Sequence, residues 1–143
     1  PRNAYQHDAG WDLFCLEDTT VPPGEPTDIR TGVAIALPTG YYGRIVHRSS
    51  APRKRGLVVL EGTIDAGFRG ELFALAFNWD GWIRIPGGPS TMASSGRRNP
   101  IMVEAGESIA QLIVQEVRPV RFSQVDQLPE SERGTKGFGS SGA

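Results

Sequence analysis

Apolar and polar residues alternate along Thr31-Gly32-Val33-Ala34-Ile35-Ala36-Leu37, so that Val33, Ile35 and Leu37 share one face. Alternation of this period predicts a half-buried strand. Similar segments recur at Tyr42 to His47, Leu57 to Leu60, Glu71 to Asn78, Trp82 to Ile85, Ser108 to Val117 and Arg121 to Val125, separated by turns rich in Gly or Pro. Seven or more short strands at this spacing predict an all-β sandwich, jelly roll or barrel. Arg48 to Gly56 is too polar and too short for a core helix and reads as a loop with some helical turn. Two stretches have no periodicity. Pro86 to Pro100 is polar and rich in Gly, Pro and Ser, which predicts a long loop. Ser131 to Ala143 is Gly-rich with one aromatic ring, Phe138, and reads either as a frayed tail or as an arm whose N–H groups wrap an anion.

Composition agrees with that class. Leu, Ile, Val and Phe make up 24% of the 143 residues, enough for a core in one domain. Gly 18 and Pro 11 disfavour long helices. A net charge of -1 gives no basic field for nucleic acid or an anionic membrane, so any anion site must be local. The basic residues are nearly all Arg, whose planar fork suits phosphate and carboxylate. Cys15 is the only cysteine, which excludes a disulfide within one chain, fits a buried filler and a reducing compartment, and leads us to expect a cytoplasmic protein. The longest apolar run, Leu72 to Phe77, is far too short to span a bilayer as a helix.

Several clusters are candidates for chemistry. Arg48-Ser49-Ser50 follows a strand and offers a cation, two hydroxyls and turn N–H groups to an anion. Gly62-Thr63-Ile64-Asp65-Ala66-Gly67-Phe68-Arg69-Gly70 reads as a hairpin carrying an acid and a ring between glycines. Asp12, between Trp11 and Leu13, is either an outward alternation residue or a deliberately held charge. Gln111 is a lone amide in an apolar strand, and either the fold or a ligand must satisfy it.

In order along one all-β chain, these clusters resemble the five motifs of the trimeric dUTP pyrophosphatases, the dUTPases. The motifs here are Ala9-Gly10-Trp11-Asp12-Leu13, Arg48-Ser49-Ser50, Gly62 to Gly70, Gly106-Glu107-Ser108-Ile109-Ala110-Gln111-Leu112, and Arg133-Gly134-Thr135-Lys136-Gly137-Phe138-Gly139-Ser140-Ser141-Gly142. The last is the most specific match. The resemblance implies a jelly-roll-like β sandwich of the β-clip type over residues 1–130, a C-terminal arm over 131–143 acting as a lid, and a homotrimer whose sites draw motifs from all three copies. It implies hydrolysis of dUTP to dUMP and pyrophosphate with Mg2+, the ion held by the triphosphate and reached by Asp12 through water. Asp65 is then the base that activates water, and Arg48, Ser49, Ser50 and Gln111 hold the phosphates. The segment Gly62 to Gly70, Gly62, Thr63 and Ile64 among its contacts, reads uracil through backbone groups, while Phe68 covers the deoxyribose face and leaves no room for a ribose 2′-hydroxyl. In the lid, Phe138 stacks on uracil, flanked by Gly137 and Gly139, and Arg133, Ser140 and Ser141 meet the γ-phosphate.

Some positions depart from the family pattern. Phe68 stands where Tyr is commoner, Trp11 where Tyr or a smaller residue is usual, His47 where Pro is common, and Glu107-Ser108 where Asp and a basic residue are usual. The connection from Leu57 to Gly62 is short and lacks an Asn that helps to read uracil. Trp79 to Pro100 is longer than the expected turn, and some phage-encoded members carry partner-binding segments in this region, which makes the 86–100 insert a candidate site for a protein partner. Two alternatives share the scaffold. A dCTP deaminase needs an acid on the strand after the third motif, where this chain has Leu75 between Ala74 and Ala76. A regulatory protein would use the insert to capture a partner.

Overall fold

Eleven short strands and no helix form the regular structure of the described residues, which are 1–3, 5–48, 56–79, 82–84, 92–94, 99–132 and 134–135 of the computed structural model. In chain order they are β1 (Trp11–Phe14), β2 (Thr19–Val21), β3 (Pro26–Ala34), β4 (Tyr41–His47), β5 (Leu57–Val59), β6 (Gly62–Ile64), β7 (Glu71–Asn78), β8 (Trp82–Arg84), β9 (Met92–Ser94), β10 (Ile101–Val103) and β11 (Ser108–Glu116). One sheet has the order β1-β11-β4-β6 and the other β3-β7-β5, with two-stranded ladders β10-β2 and β8-β9 beside them. Strand pairing is antiparallel throughout these ladders.

Alternation explains the core. On β7, Leu72, Ala74, Ala76 and Asn78 point inward at a spacing of two, as the pleat requires. Leu72, Ala74 and Ala76 meet Ile29 of β3 and Leu57 and Val59 of β5 in one apolar cluster with Leu13, Ile45, Ile109 and Leu112 of the other sheet and Val21 and Val103 of the side ladder. Cys15 is buried in the same cluster, its Sγ donating to the Glu17 carbonyl at 2.8 Å. Between Leu13 and Phe14 the register with β11 shifts, so Ile109 is an extra residue and both it and Ala110 face inward. Such a bulge re-aims the residues that follow it.

Where β3 slips out of register with β7 after Arg30, side chains take over the bonding. Thr31 Oγ1 donates to the Leu72 carbonyl at 2.6 Å, and Glu71 receives the Gly32 N–H at 2.9 Å and the Arg30 guanidinium at 3.0 and 3.3 Å. The Arg30 contact, together with the Gly32 N–H, holds the Glu71 carboxyl below its usual range.

At the end of β7, the fully buried Asn78 donates through Nδ2 to the carbonyls of Val21 at 3.1 Å and Asn99 at 3.0 Å. The Trp79 N–H bonds the Gly56 carbonyl at 2.8 Å, and the Trp79 ring stands edge-on to Phe77. The start and the return of the 79–99 excursion are thus fastened to the sandwich.

The structure corrects four expectations. The strand expected to reach Leu37 leaves its ladder at Ala34, although Val33, Ile35 and Leu37 stay half-buried between exposed neighbours. Residues 62–70 do not form a hairpin of their own: β6 pairs with β4, whereas β7 pairs with β3 and β5. The stretch expected to be loop from Pro86 to Pro100 contains β9, paired with β8. Arg121 to Val125 forms no strand and is exposed along its length, because a period-two segment becomes a strand only where a free edge accepts its ladder. The stretch from Arg48 toward Gly56 lies largely outside the described residues. Among those described, no helix is long and apolar enough to cross a membrane.

Candidate functional site

Asp12 on β1 lies opposite Gln111 on β11, just past the bulge at Ile109. The Gln111 Nε2 donates to Asp12 Oδ1 at 3.2 Å, and Arg48 Nε lies 3.4 Å from the same oxygen. The Arg48 Nη1 also donates to the Ser108 carbonyl at 3.5 Å, so one guanidinium spans the carboxylate and the mouth of the bulge. Asp12 keeps only 15% of its side chain exposed and Arg48 35%. Of the two readings of Asp12, the held charge is therefore the observed one, and the lone amide of Gln111 finds its partner in the fold. Gly10 makes room for that amide, since a Cβ there would stand 3.2 Å from Gln111 Cβ and 3.4 Å from its Cδ. The site's need for glycine at this position was not visible in the sequence pattern.

The second group of candidates sits elsewhere in the same sheet. Gly62, Thr63 and Ile64 form β6, with Ile64 opposite Gly43 and Gly62 opposite Ile45. Asp65 leaves that strand exposed at the head of a turn closed by the Phe68 N–H, which donates to the Asp65 carbonyl at 3.0 Å. Arg69 Nη1 donates to the carbonyls of Ala66 at 2.7 Å and Phe68 at 2.6 Å. The Phe68 ring, 42% exposed, lies against Gly70. Arg69 and Gly70 entered the sequence reading only as part of the backbone segment expected to read uracil.

β4 separates the two groups. Asp65 adjoins the strand near Gly43, whereas Arg48 follows its other end, five residues further on, which is about 17 Å of extended chain at ~3.3 Å per residue. Within one copy, Asp12, Arg48 and Gln111 come together, and Asp65 with Phe68 stands apart from them. Ser49, Ser50, Arg133, Gly137, Phe138, Gly139, Ser140 and Ser141 lie outside the described residues, as does most of the 86–100 insert. On β7, Leu75 is partly exposed between the buried Ala74 and Ala76, so the strand position that a deaminase needs for its acid is apolar.

Among the described residues no three His, Cys, Asp or Glu side chains gather to cage a metal ion. Asp12 is the carboxylate of the cluster, and its second oxygen takes none of the bonds described above.

The chain is 42% identical over 144 residues to the deoxyuridine 5'-triphosphate nucleotidohydrolase of Thermobifida fusca, covering 99% of this chain and 72% of that one. Its fold, a jelly-roll β sandwich, superposes with a TM-score of 0.81 on the dUTPase of Staphylococcus bacteriophage 80alpha with dUPNHPP, at 33% identity and covering 100% of this chain and 91% of that one. A mutant dUTPase from phage phi11 of S. aureus, solved for the coordination of a structural Mg(II) ion, superposes with a TM-score of 0.72 at 27% identity over 89% of each chain. With the dUTPase family model matching residues 1–142, the chain belongs to the dUTPase family.

Proposed function

We propose that the protein hydrolyses dUTP to dUMP and pyrophosphate in sites shared between copies of the chain. The single observation that carries this reading is the Asp12-centred cluster, a carboxylate that presents Arg48 and Gln111 together at the end of β4. A cation and an amide held so are suited to phosphate oxygens, because charge-assisted hydrogen bonds gain strength where the donors are already aimed.

Asp65 is the base. It takes a proton from a water whose oxygen attacks the α-phosphorus, and the bond from that phosphorus to the bridging oxygen breaks to release pyrophosphate. Arg48, Ser49, Ser50 and Gln111 hold the phosphate chain. Mg2+, bound to the triphosphate and facing Asp12 through water, would neutralise the charge that spreads over the phosphate oxygens. Gly62, Thr63 and Ile64 read uracil through backbone groups, and the Phe68 ring lies on the deoxyribose. The arm over residues 131–143 closes over the nucleotide, with Phe138 on uracil, Gly137 and Gly139 beside it, and Arg133, Ser140 and Ser141 at the γ-phosphate. Residues 1–130 form the sandwich domain that bears the rest.

Base and phosphate grip must act on one phosphorus within ~3 Å of the reacting atoms. The span of β4 between them in one copy supports a site completed by another copy. Residues 117–132 support the same reading, since Val117, Val120, Phe122, Val125 and Leu128 lie exposed outside both sheets, Phe122 at 97%. A homotrimer gives such a segment a neighbour to cover it. Pyrophosphate release measured across dUTP, dCTP, dTTP and UTP tests the reading: turnover confined to dUTP supports it, and absence of turnover on dUTP sinks it.

A further inference from the structure

We infer that Arg69 and Gly70 are positioning residues that set the height of the Phe68 ring, and through it the exclusion of ribonucleotides; this rests on the dUTP-hydrolysing reading above. Gly70 is not glycine for the sake of its backbone, because it is absent from the positive-φ glycines of the chain. Space is the reason. A Cβ at Gly70 would stand 2.6 Å from Cζ of Phe68 and 3.2 and 3.3 Å from its two Cε atoms. The far edge of the ring therefore rests directly on the Gly70 backbone, closer than any side chain would allow. A methyl group there forces the ring to move, and since the ring is 42% exposed it has room to swing outward without disturbing the core.

Arg69 fixes the other end of the same device. Its Nη1 reaches two carbonyls of the turn at once, Ala66 and Phe68, which carry the ring's own backbone. The closing bond from the Phe68 N–H to the Asp65 carbonyl ties that turn to the proposed base. One cation thus locks the stem of the ring while one glycine seats its tip, and base and ring are held in a fixed relation. A ring that excludes a single hydroxyl must be held to a fraction of an ångström, whereas a merely hydrophobic contact needs no such seat.

The test compares kcat/KM for dUTP and UTP in the wild type, Gly70→Ala, Arg69→Ala and Arg69→Lys, with thermal unfolding as the folding control. We expect Gly70→Ala and Arg69→Ala to lower the dUTP/UTP ratio at least tenfold, chiefly by improving kcat/KM on UTP, with Arg69→Lys recovering part of it because an ammonium also reaches two carbonyls. The same substitutions made in a Phe68→Leu background should change the ratio no further, which a general loss of folding or of catalytic power would not produce. A ratio unchanged within twofold in both alanine variants overturns the inference while leaving the dUTP reading intact. Lack of dUTP turnover by the wild type overturns both. Should Arg69→Ala unfold, Gly70→Ala and Arg69→Lys decide the matter by the same ratio.

Discussion

Gln111 and Asp12, 99 positions apart in the chain, face each other across β11 and β1, and the amide nitrogen of Gln111 donates to the carboxylate of Asp12 at 3.2 Å. The same oxygen draws in Arg48 at 3.4 Å, so a single carboxylate orients both groups proposed to hold phosphate. Hydrogen bonds to charged groups contribute about 1.5–3 kcal/mol. Asp12→Ala should therefore lower kcat/KM for dUTP roughly 10- to 100-fold, at ~1.4 kcal/mol per decade. Steady-state kinetics at saturating Mg2+ provide the check, and a change within twofold would remove Asp12 from the orienting role.

The length of β4 gives a sharper prediction. Asp65→Asn should lower kcat by ~10²-fold or more through loss of the base, and Arg48→Ala should cripple the enzyme through loss of the phosphate grip. When both variants are co-expressed, sites that take Asp65 from one copy and Arg48 from another are whole. About a quarter of wild-type activity should return in the co-expressed population, whose assemblies should have, by light scattering, a mass three times that of the 15.5 kDa chain. Two inactive variants that stay inactive together would place both groups in the same copy.

Acid should loosen the β3–β7 seam. The carboxyl of Glu71 is held below its usual range by Arg30 and the Gly32 N–H. A lowered folded-state value means that the stabilisation is complete above the ordinary glutamate range and is lost as pH falls through the lowered value. Urea midpoints measured from neutral pH downward should drop more steeply for the wild type than for Glu71→Gln, which lacks this titration. Parallel curves would assign the acid sensitivity to other carboxylates.

Asn78 is expected to matter for stability, and residues 85–97 are expected not to matter for catalysis. Asn78→Ala removes the donor shared by the Val21 and Asn99 carbonyls, and the buried bond to Val21 alone puts the cost at ~1–3 kcal/mol. Thermal unfolding should register that loss. Replacing residues 85–97 with a short Gly-Ser turn, which keeps Asn99, should leave dUTP hydrolysis within a few-fold of wild type, because loop length itself costs only ~0.6 kcal/mol per doubling. A collapse of activity in the replaced protein would make the segment part of the site.

Much of the fold was legible in the sequence, for identifiable reasons. β7 matches the alternation from Glu71 to Asn78 residue for residue, because both faces of that strand are fixed by burial. Arg121 to Val125 carries a comparable pattern yet stays unpaired, since alternation records a preferred face and says nothing of whether an edge is available. Likewise, glycines at 62, 67 and 70 signal a turn but not that the chain changes sheets within it. At the site, Asp12 and Gln111 each stood out as a polar residue among apolar neighbours. Their pairing was hidden, because a register between distant strands is set by tertiary contacts and by the bulge at Ile109. The seat of Phe68 on Gly70 was hidden for a simpler reason: one-letter spacing does not reveal the distance from a ring tip to a backbone atom.

The fastening at Asn78 also has a meaning for how such a chain can change over time. One amide ties both ends of the 79–99 segment together beside β2, so those ends are fixed by the sandwich itself. New sequence introduced between those points begins and ends on a socket that already exists, and the core has no need to be redesigned around it. The dUTPase scaffold of this chain is in that sense a chassis with a ready mounting point, at which a foreign peptide or a small folded module can be grafted and inherited while the sandwich beneath is conserved.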